Sequence, residues 1–406
     1  MSAAGSSQRR VRRVPGAPVV AVRVALAGGA RSERIPGSAL VAGRGAAEGT
    51  RRRSYRELAD AAEQKGMTLA GFGGPEAIGV AVDALAADWE QALELAAELL
   101  FEPVFPEERI RHLARQAAAE LEAEGDQADL LTARAFLDVL YSPHPRGRPL
   151  QGDPASLARV DSAVCAELHG RALARGGSVA VAGEIDEDRV AERLEALFGG
   201  LAEVAQIEPV PPPPPPSARR REIRTRARDQ AHLMVGQLTA ARADPDAPAL
   251  ELAAVVLGAG SGLSGRIPHR VRDQEGLGYH ASADAISGAG LDAGRLVAYV
   301  GTSPATLRQA ERAIVDELRR VVEDGVSGAE VEEARAYLLG REPFRRETAR
   351  QWADLAAYGA IVGLPLEDPA WTLDRLRGPD RDRVEAAIRG RIDPERLAVV
   401  VGLPAG

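Results

Sequence analysis

The chain has 406 residues, 45 % of them hydrophobic, and a formal net charge of −8. That is enough apolar material for about two to three domains, and the acidic balance leaves no global basic field to favour nucleic acid. The single cysteine, Cys165, excludes an internal disulfide, and no apolar run reaches the roughly 18 residues that a membrane-spanning helix needs.

Residues 1–14 are basic and no apolar signal core follows them, so they are predicted to form a disordered arm. "PVVAVRVALAGG" then reads as a strand and "SYRELADAAEQKG" as a helix, from its apolar spacing. "TLAGFGGPEAIGVAVDAL" reads as two short strands around a turn. Helices follow at "WEQALELAAELLFEP" and "PEERIRHLARQAAAELEAEGD", then a strand at "GGSVAVAGEID" and a helix at "EDRVAERLEALFGG". Cys165 lies on a helical pattern and is expected to be a small buried residue. The proline run in residues 207–221 cannot continue a helix or a ladder, so it is predicted to be a stiff linker.

The second half repeats the scheme. "QAHLMVGQLTA" is a strand, "PALELAAVVLGAG" a helix, "LGYHASADAIS" and "AGRLVAYVGTS" strands, "TLRQAERAIVDELRRVVEDG" and "SGAEVEEARAYLLGREPF" helices, and "RLAVVVGLP" a final strand. The expected fold class is α+β: two homologous tandem domains, 15–206 and 222–406, each an antiparallel sheet covered on one face by helices. Two such halves could close as a clamshell chamber around an extended peptide added to a sheet edge. Arginine almost wholly replaces lysine, Lys65 being the only one. With abundant Ala and Gly, this points to a GC-rich bacterial genome; with no signal core and no long apolar run, a bacterial cytoplasmic protein is expected.

Several stretches, in order and spacing, carry a resemblance. They include "LAGGARSERIPGSAL", "EGTRRRSYRELADAAEQKG", "FEPVFPEERI", "YSPHPRGRPLQGDPASLARV", "VRDQEGLGYHASA" and "DGVSGAEVEEARAYLLGR". Together the chain resembles the insulinase-like zinc peptidases (pitrilysin and mitochondrial processing peptidase), in their short bacterial form, over roughly residues 15 to 403. Active members carry His-x-x-Glu-His on a helix before a Gly-Thr pair; the histidines bind zinc and the glutamate activates water. Anchored on Gly37 and Gly49-Thr50, the three functional positions fall on Leu40, Gly43 and Arg44. Leucine has no lone pair to donate, glycine accepts no proton, and arginine is a fixed cation that repels a dication. No histidine precedes His112. Glu120 matches the family's third zinc ligand, but one carboxylate cannot hold a catalytic zinc, so it is expected to be a relic or a solvated helix residue.

The resemblance also implies that Arg272 and Tyr279 project into the chamber and hold substrate carbonyls, since guanidinium and phenol both donate hydrogen bonds. The bland alternative is an arginine near a helix end and a packed tyrosine. His144 and His232 are expected to be structural, and His280 is a candidate chamber residue. Glycine-rich residues 257–266 lack a Gly-Lys-Ser/Thr ending and read as a flexible loop, and Arg51, Arg52 and Arg53 as a solvated helix entry. Trp89, Trp352 and Trp371 read as anchors.

The expected function is therefore the non-catalytic subunit of a heterodimeric zinc metallopeptidase, inactive alone. It would bind peptide substrate while a His-x-x-Glu-His paralogue supplies the zinc, with no metal or cofactor in this chain, no nucleic acid and no membrane. The alternatives are an inert scaffold, or a homologue that binds peptide without hydrolysis.

Overall fold

β-Branched residues and strict alternation make Val19–Ala27 (β2) a central strand. Val20, Val22, Val24 and Leu26 enter one hydrophobic cluster, while Ala21, Arg23 and Ala25 point to the opposite face. The computed structural model describes residues 8–205, 219–226, 229–260 and 264–405. The described residues divide into two compact units. The first lies within Met1–Leu121, Pro149–Glu208 and Pro343–Pro369, the second within Glu122–Arg148, Pro209–Glu342 and Ala370–Gly406.

In the first unit the sheet order is β1-β5-β2-β4-β3, with β1 at Arg9–Arg13, β3 at Thr68–Gly73, β4 at Ala77–Leu85 and β5 at Gly177–Gly183. The second unit repeats it as β6-β10-β7-β9-β8, with β6 at Arg220–Thr225, β7 at Ala231–Leu238, β8 at Ala281–Ser287, β9 at Arg295–Thr302 and β10 at Ala398–Pro404. The identical order establishes the internal duplication. All pairings are antiparallel except β1 with β5 and β6 with β10. Each sheet is therefore largely antiparallel, as expected, with one parallel pair at its margin.

Arg9–Arg13 corrects the expected disordered arm at residues 1–14, whose first seven residues lie outside the described set. Val11 packs against the core, the Arg9 guanidinium reaches Glu195 at 2.7 Å, and Arg13 reaches Glu184. Ladder bonds and ion pairs thus order a stretch with little apolar content. The linker prediction, 207–221, lies mostly outside the described residues, and its last two residues, Arg220 and Arg221, begin β6.

The units also differ from contiguous halves. Helix Ala128–Tyr141, from the first half of the sequence, packs on β7 and β10 in the second unit. Helix Ala349–Val362, from the second half, packs on β2 and β5 in the first. These helices cover the sheet faces turned away from the main cores, so both faces of each sheet carry helix. In the first unit Ala353, Ala356 and Ala357 are buried, and the Ser178 hydroxyl donates to the Ala357 carbonyl at 3.0 Å. In the second, Phe136, Leu140 and Tyr141 form a cluster with Met234, Ala398 and Val400.

Candidate functional site

Helix Ser38–Gly45 holds the positions of the metal motif. It starts after Gly37, whose φ of 85° is left-handed. The Glu33 carboxylate accepts from the Gly37 and Ala39 amides at 3.2 and 3.0 Å, filling the helix start. Leu40 is 6 % exposed and belongs to the core cluster. Among the helix residues Arg44 alone is not buried. Its two terminal nitrogens donate to the two Glu120 oxygens at 2.9 and 3.1 Å. Gln116 Nε2 adds a donor to Glu120 at 3.2 Å. Glu120, expected to be a relic or solvated, instead closes a forked ion pair with a position that has itself departed from the motif.

Gly43 sits where a general base would stand. A Cβ there would lie 2.1 Å from the Phe72 carbonyl oxygen and 2.6 Å from the Gly73 nitrogen. Gly71 and Gly73 of β3 meet the same helix from the other side: Cβ atoms there would come within 2.0 Å of the Gly43 oxygen and 2.2 Å of the Ala39 oxygen. Helix and strand thus touch backbone to backbone. Zinc does not fit these residues: of the four motif positions only Glu120 carries a donor, and it is engaged by a guanidinium. Among the described residues no three His, Cys, Asp or Glu are grouped to hold a metal.

The segment beyond the helix, Arg51–Arg53, is a solvated entry to the next helix as expected, and Arg52 and Arg53 are also paired. Arg53 closes on Glu98, which is 5 % exposed and also accepts from the Thr50 hydroxyl at 2.6 Å. Arg52 pairs with Glu102. Arg109 stacks 4.0 Å from the centre of the Tyr55 ring and pairs with Glu48.

In the second unit, Arg272 belongs to a wide helical turn, His269–Gln274. There the Glu275 amide reaches back five residues to the Arg270 carbonyl, a geometry often found at functional positions. Arg272 Nε donates to Asp273 Oδ1 at 2.7 Å and Nη2 to Oδ2 at 3.2 Å. His269 Nδ1 lies 3.3 Å from the same Oδ2. The Arg272 hydrogen bond, with a smaller part from His269, holds Asp273 below the usual carboxylate range, and Asp273, with a smaller part from Tyr279, raises Arg272 above its own. Tyr279 is 91 % exposed, yet its backbone is pinned on both sides. Leu277 is buried, a Cβ at Gly278 would lie 2.4 Å from the Gly301 carbonyl oxygen, and the Gly301 amide donates to the His280 carbonyl at 3.2 Å. The turn therefore presents an aromatic ring outward from a fixed main chain. Asp273 was not singled out in the sequence; its position next to Arg272 was the available signal.

His144 and His232 are buried. His144 Nδ1 accepts from the Arg146 amide at 3.1 Å, and its Nε2 stands 3.6 Å from Asp292. Arg146 and the Tyr141 hydroxyl donate to carbonyls at residues 288–293, so the His-Pro loop fastens the β8–β9 hairpin. His232 Nδ1 meets the Tyr299 hydroxyl at 2.9 Å, and His280, exposed, has its ring 5.6 Å from that of Tyr299. Burial lowers His232 and pushes Tyr299 up to about 12. The glycine-rich loop lies partly outside the described residues. Trp352 is buried, while Trp89 and Trp371 stack under Arg189 and Arg375. Among the described residues no helix is long and apolar enough to cross a membrane.

Residues 11–153 match the family model for insulinase (peptidase family M16), and residues 178–338 match that for the peptidase M16 inactive domain. An uncharacterized zinc protease of Mycobacterium tuberculosis is 26 % identical over 297 residues, 72 % of this chain and 66 % of that protein, so the chain spans just under two thirds of its length. A non-peptidase homolog of Helicobacter pylori is 22 % identical over 356 residues, 87 % of this chain and 81 % of that protein. The crystal structure of a peptidase M16 inactive domain from Pseudomonas fluorescens superposes with a TM-score of 0.86 at 22 % identity, covering 98 % of this chain and 95 % of that one.

Proposed function

The chain belongs to the M16 insulinase family, and from that premise we propose that it is the non-catalytic, substrate-contacting subunit of a two-chain zinc metallopeptidase. Zinc and general base come from a paralogous partner bearing His-x-x-Glu-His. This chain contributes Arg272 and Tyr279, which donate hydrogen bonds to the carbonyls of an unfolded peptide and to the oxygen that gains charge during cleavage. The observation that carries the reading is Tyr279: a ring 91 % exposed on a pinned backbone beside a clamped arginine. A fixed, outward aromatic is suited to meeting another molecule, because little conformational freedom remains to be lost on contact. The loss of donors at Leu40, Gly43 and Arg44 supports an activity that depends on a second chain.

The test mixes the purified chain with a His-x-x-Glu-His paralogue from the same genome and follows cleavage of an unfolded fluorogenic peptide. Cleavage is expected from the mixture and from neither chain alone, and a chelator is expected to abolish it. Arg272→Ala and Tyr279→Phe should each lower kcat/KM by about 10²-fold, as removal of one oxyanion donor does. Unchanged cleavage by both variants would overturn the shared site. A stable complex without cleavage would favour the scaffold reading, with which the non-peptidase name of the Helicobacter pylori relative agrees.

A further inference from the structure

The three departures in the motif helix differ in kind. Positions 40 and 44 changed one side chain for another. Position 43, by contrast, is a glycine at which two stretches of main chain touch. The atoms a Cβ at Gly43 would strike are the Phe72 carbonyl and the Gly73 nitrogen. They belong to a strand paired with β4 and cannot swing aside as the tip of a flexible side chain could. Gly71 and Gly73 make the reciprocal approaches, so any residue other than glycine at 43 forces helix and strand apart. At Arg44 the forked contact to Glu120 joins the Ser38–Gly45 helix to the Glu107–Glu124 helix. A metal bridging two ligands would link them in the same sense, but here the cation is covalently part of the chain. It cannot be exchanged or chelated.

We infer that the motif helix has become a sealed, metal-independent ionic tie, in which Arg44 does for Glu120 what a bound cation would do, and the glycine contact at position 43 bars the return of a general base. This holds whether or not the chain works with a partner, and it makes the loss of metallopeptidase chemistry a property of the backbone as well as of the ligand set.

The test uses the purified full chain and thermal denaturation. Arg44→Met and Glu120→Gln should each lower the melting temperature by about 2–4 °C, the shift fitting one partly exposed forked pair. The double variant should fall no further than the worse single, because both remove the same tie. EDTA and added zinc chloride should leave the wild-type melting temperature unchanged. Gly43→Ala should lower it more than either single variant, although it adds only a methyl group. The triple variant L40H/G43E/R44H should fail to hold one zinc per folded chain when metal content is measured after gel filtration. Additive losses from Arg44→Met and Glu120→Gln would overturn the tie. A Gly43→Ala protein that melts like wild type, or a folded triple variant with stoichiometric zinc, would overturn the seal.

Discussion

The two units cover the second face of the same sheet in opposite ways. In the first unit, Ala21, Ala25, Ala180 and Ala182 of the sheet are buried on the side that meets Ala353, Ala356 and Ala357 of the exchanged helix. Small residues bring helix and sheet close, and the only long side chain on that face of β2, Arg23, is answered by Asp83 at 3.0 Å and Asp354 at 2.5 Å. In the second unit, Phe136, Leu140 and Tyr141 stand against Met234 and Val400, and a Cβ at Gly236 would lie 3.1 Å from the Phe136 ring. One topology therefore tolerates a close alanine contact and a wide aromatic one. Strand order is a matter of backbone pairing, while helix distance is set by side-chain volume.

Deleting the large side chain should break the contrast most severely. Phe136→Ala should destabilise the second unit by about 3–5 kcal/mol, the usual cost of removing a buried aromatic; urea denaturation followed by a probe in that unit would measure it. A midpoint equal to wild type would mean that the 128–141 helix does not seal the second sheet. The converse change, Ala356→Leu, overfills the close contact and should cost about 1–3 kcal/mol in the first unit. If the first unit absorbed it without loss, its close packing would not be a requirement.

A smaller effect tests the parallel between the forked arginine pairs. Arg266 grips Glu330 in the second unit at 2.6 and 2.8 Å, as Arg44 grips Glu120 in the first. Together with the Ser327 cap this holds the Glu330 carboxyl at about 2, against an ordinary value of 4.5. The lowered value means that the ionised group stabilises the folded state above pH 4.5, and that this contribution is lost as pH falls from 4.5 toward about 2. Glu330→Gln should flatten the acid limb of a plot of urea midpoint against pH; an unaltered limb would show that the pair contributes nothing. The smallest effect concerns Cys165. Burial pushes its thiol up to about 12, so a thiol reagent at neutral pH should leave it unmodified until the chain unfolds. Rapid labelling of the native protein would contradict its burial.

Most of the fold was legible where residues report their own surroundings. The Val-rich alternation of β2 and the apolar spacing of the 89–101 and 187–198 helices each follow from a local pattern. β1 escaped because four arginines in five residues have little intrinsic preference for a strand, and its ladder partner lies 170 residues away at Val179–Gly183. The 128–141 and 349–362 helices were not among the expected elements, and their exchange could not have been read even from a helical stripe, which says that it is covered and not by what. At the site, the missing donors at Leu40, Gly43 and Arg44 could be read directly. The Arg44–Glu120 pair and the glycine contact with β3 could not, since they join residues 76 and about 30 positions apart through tertiary packing alone.

Each sheet ends, on its parallel side, in a strand dense with guanidinium groups: RRVRR in β1 and RREIRT in β6. A margin of this sort leaves main-chain donors and acceptors ready to recruit any extended segment, another copy of the same chain included. The guanidinium groups and the carboxylates they engage, Glu195 and Glu184 beside β1 and Glu311 and Asp138 beside β6, crowd both margins with charge that an incoming strand would have to strip of water, so fibre-like stacking is discouraged without closing the sheet or shortening it.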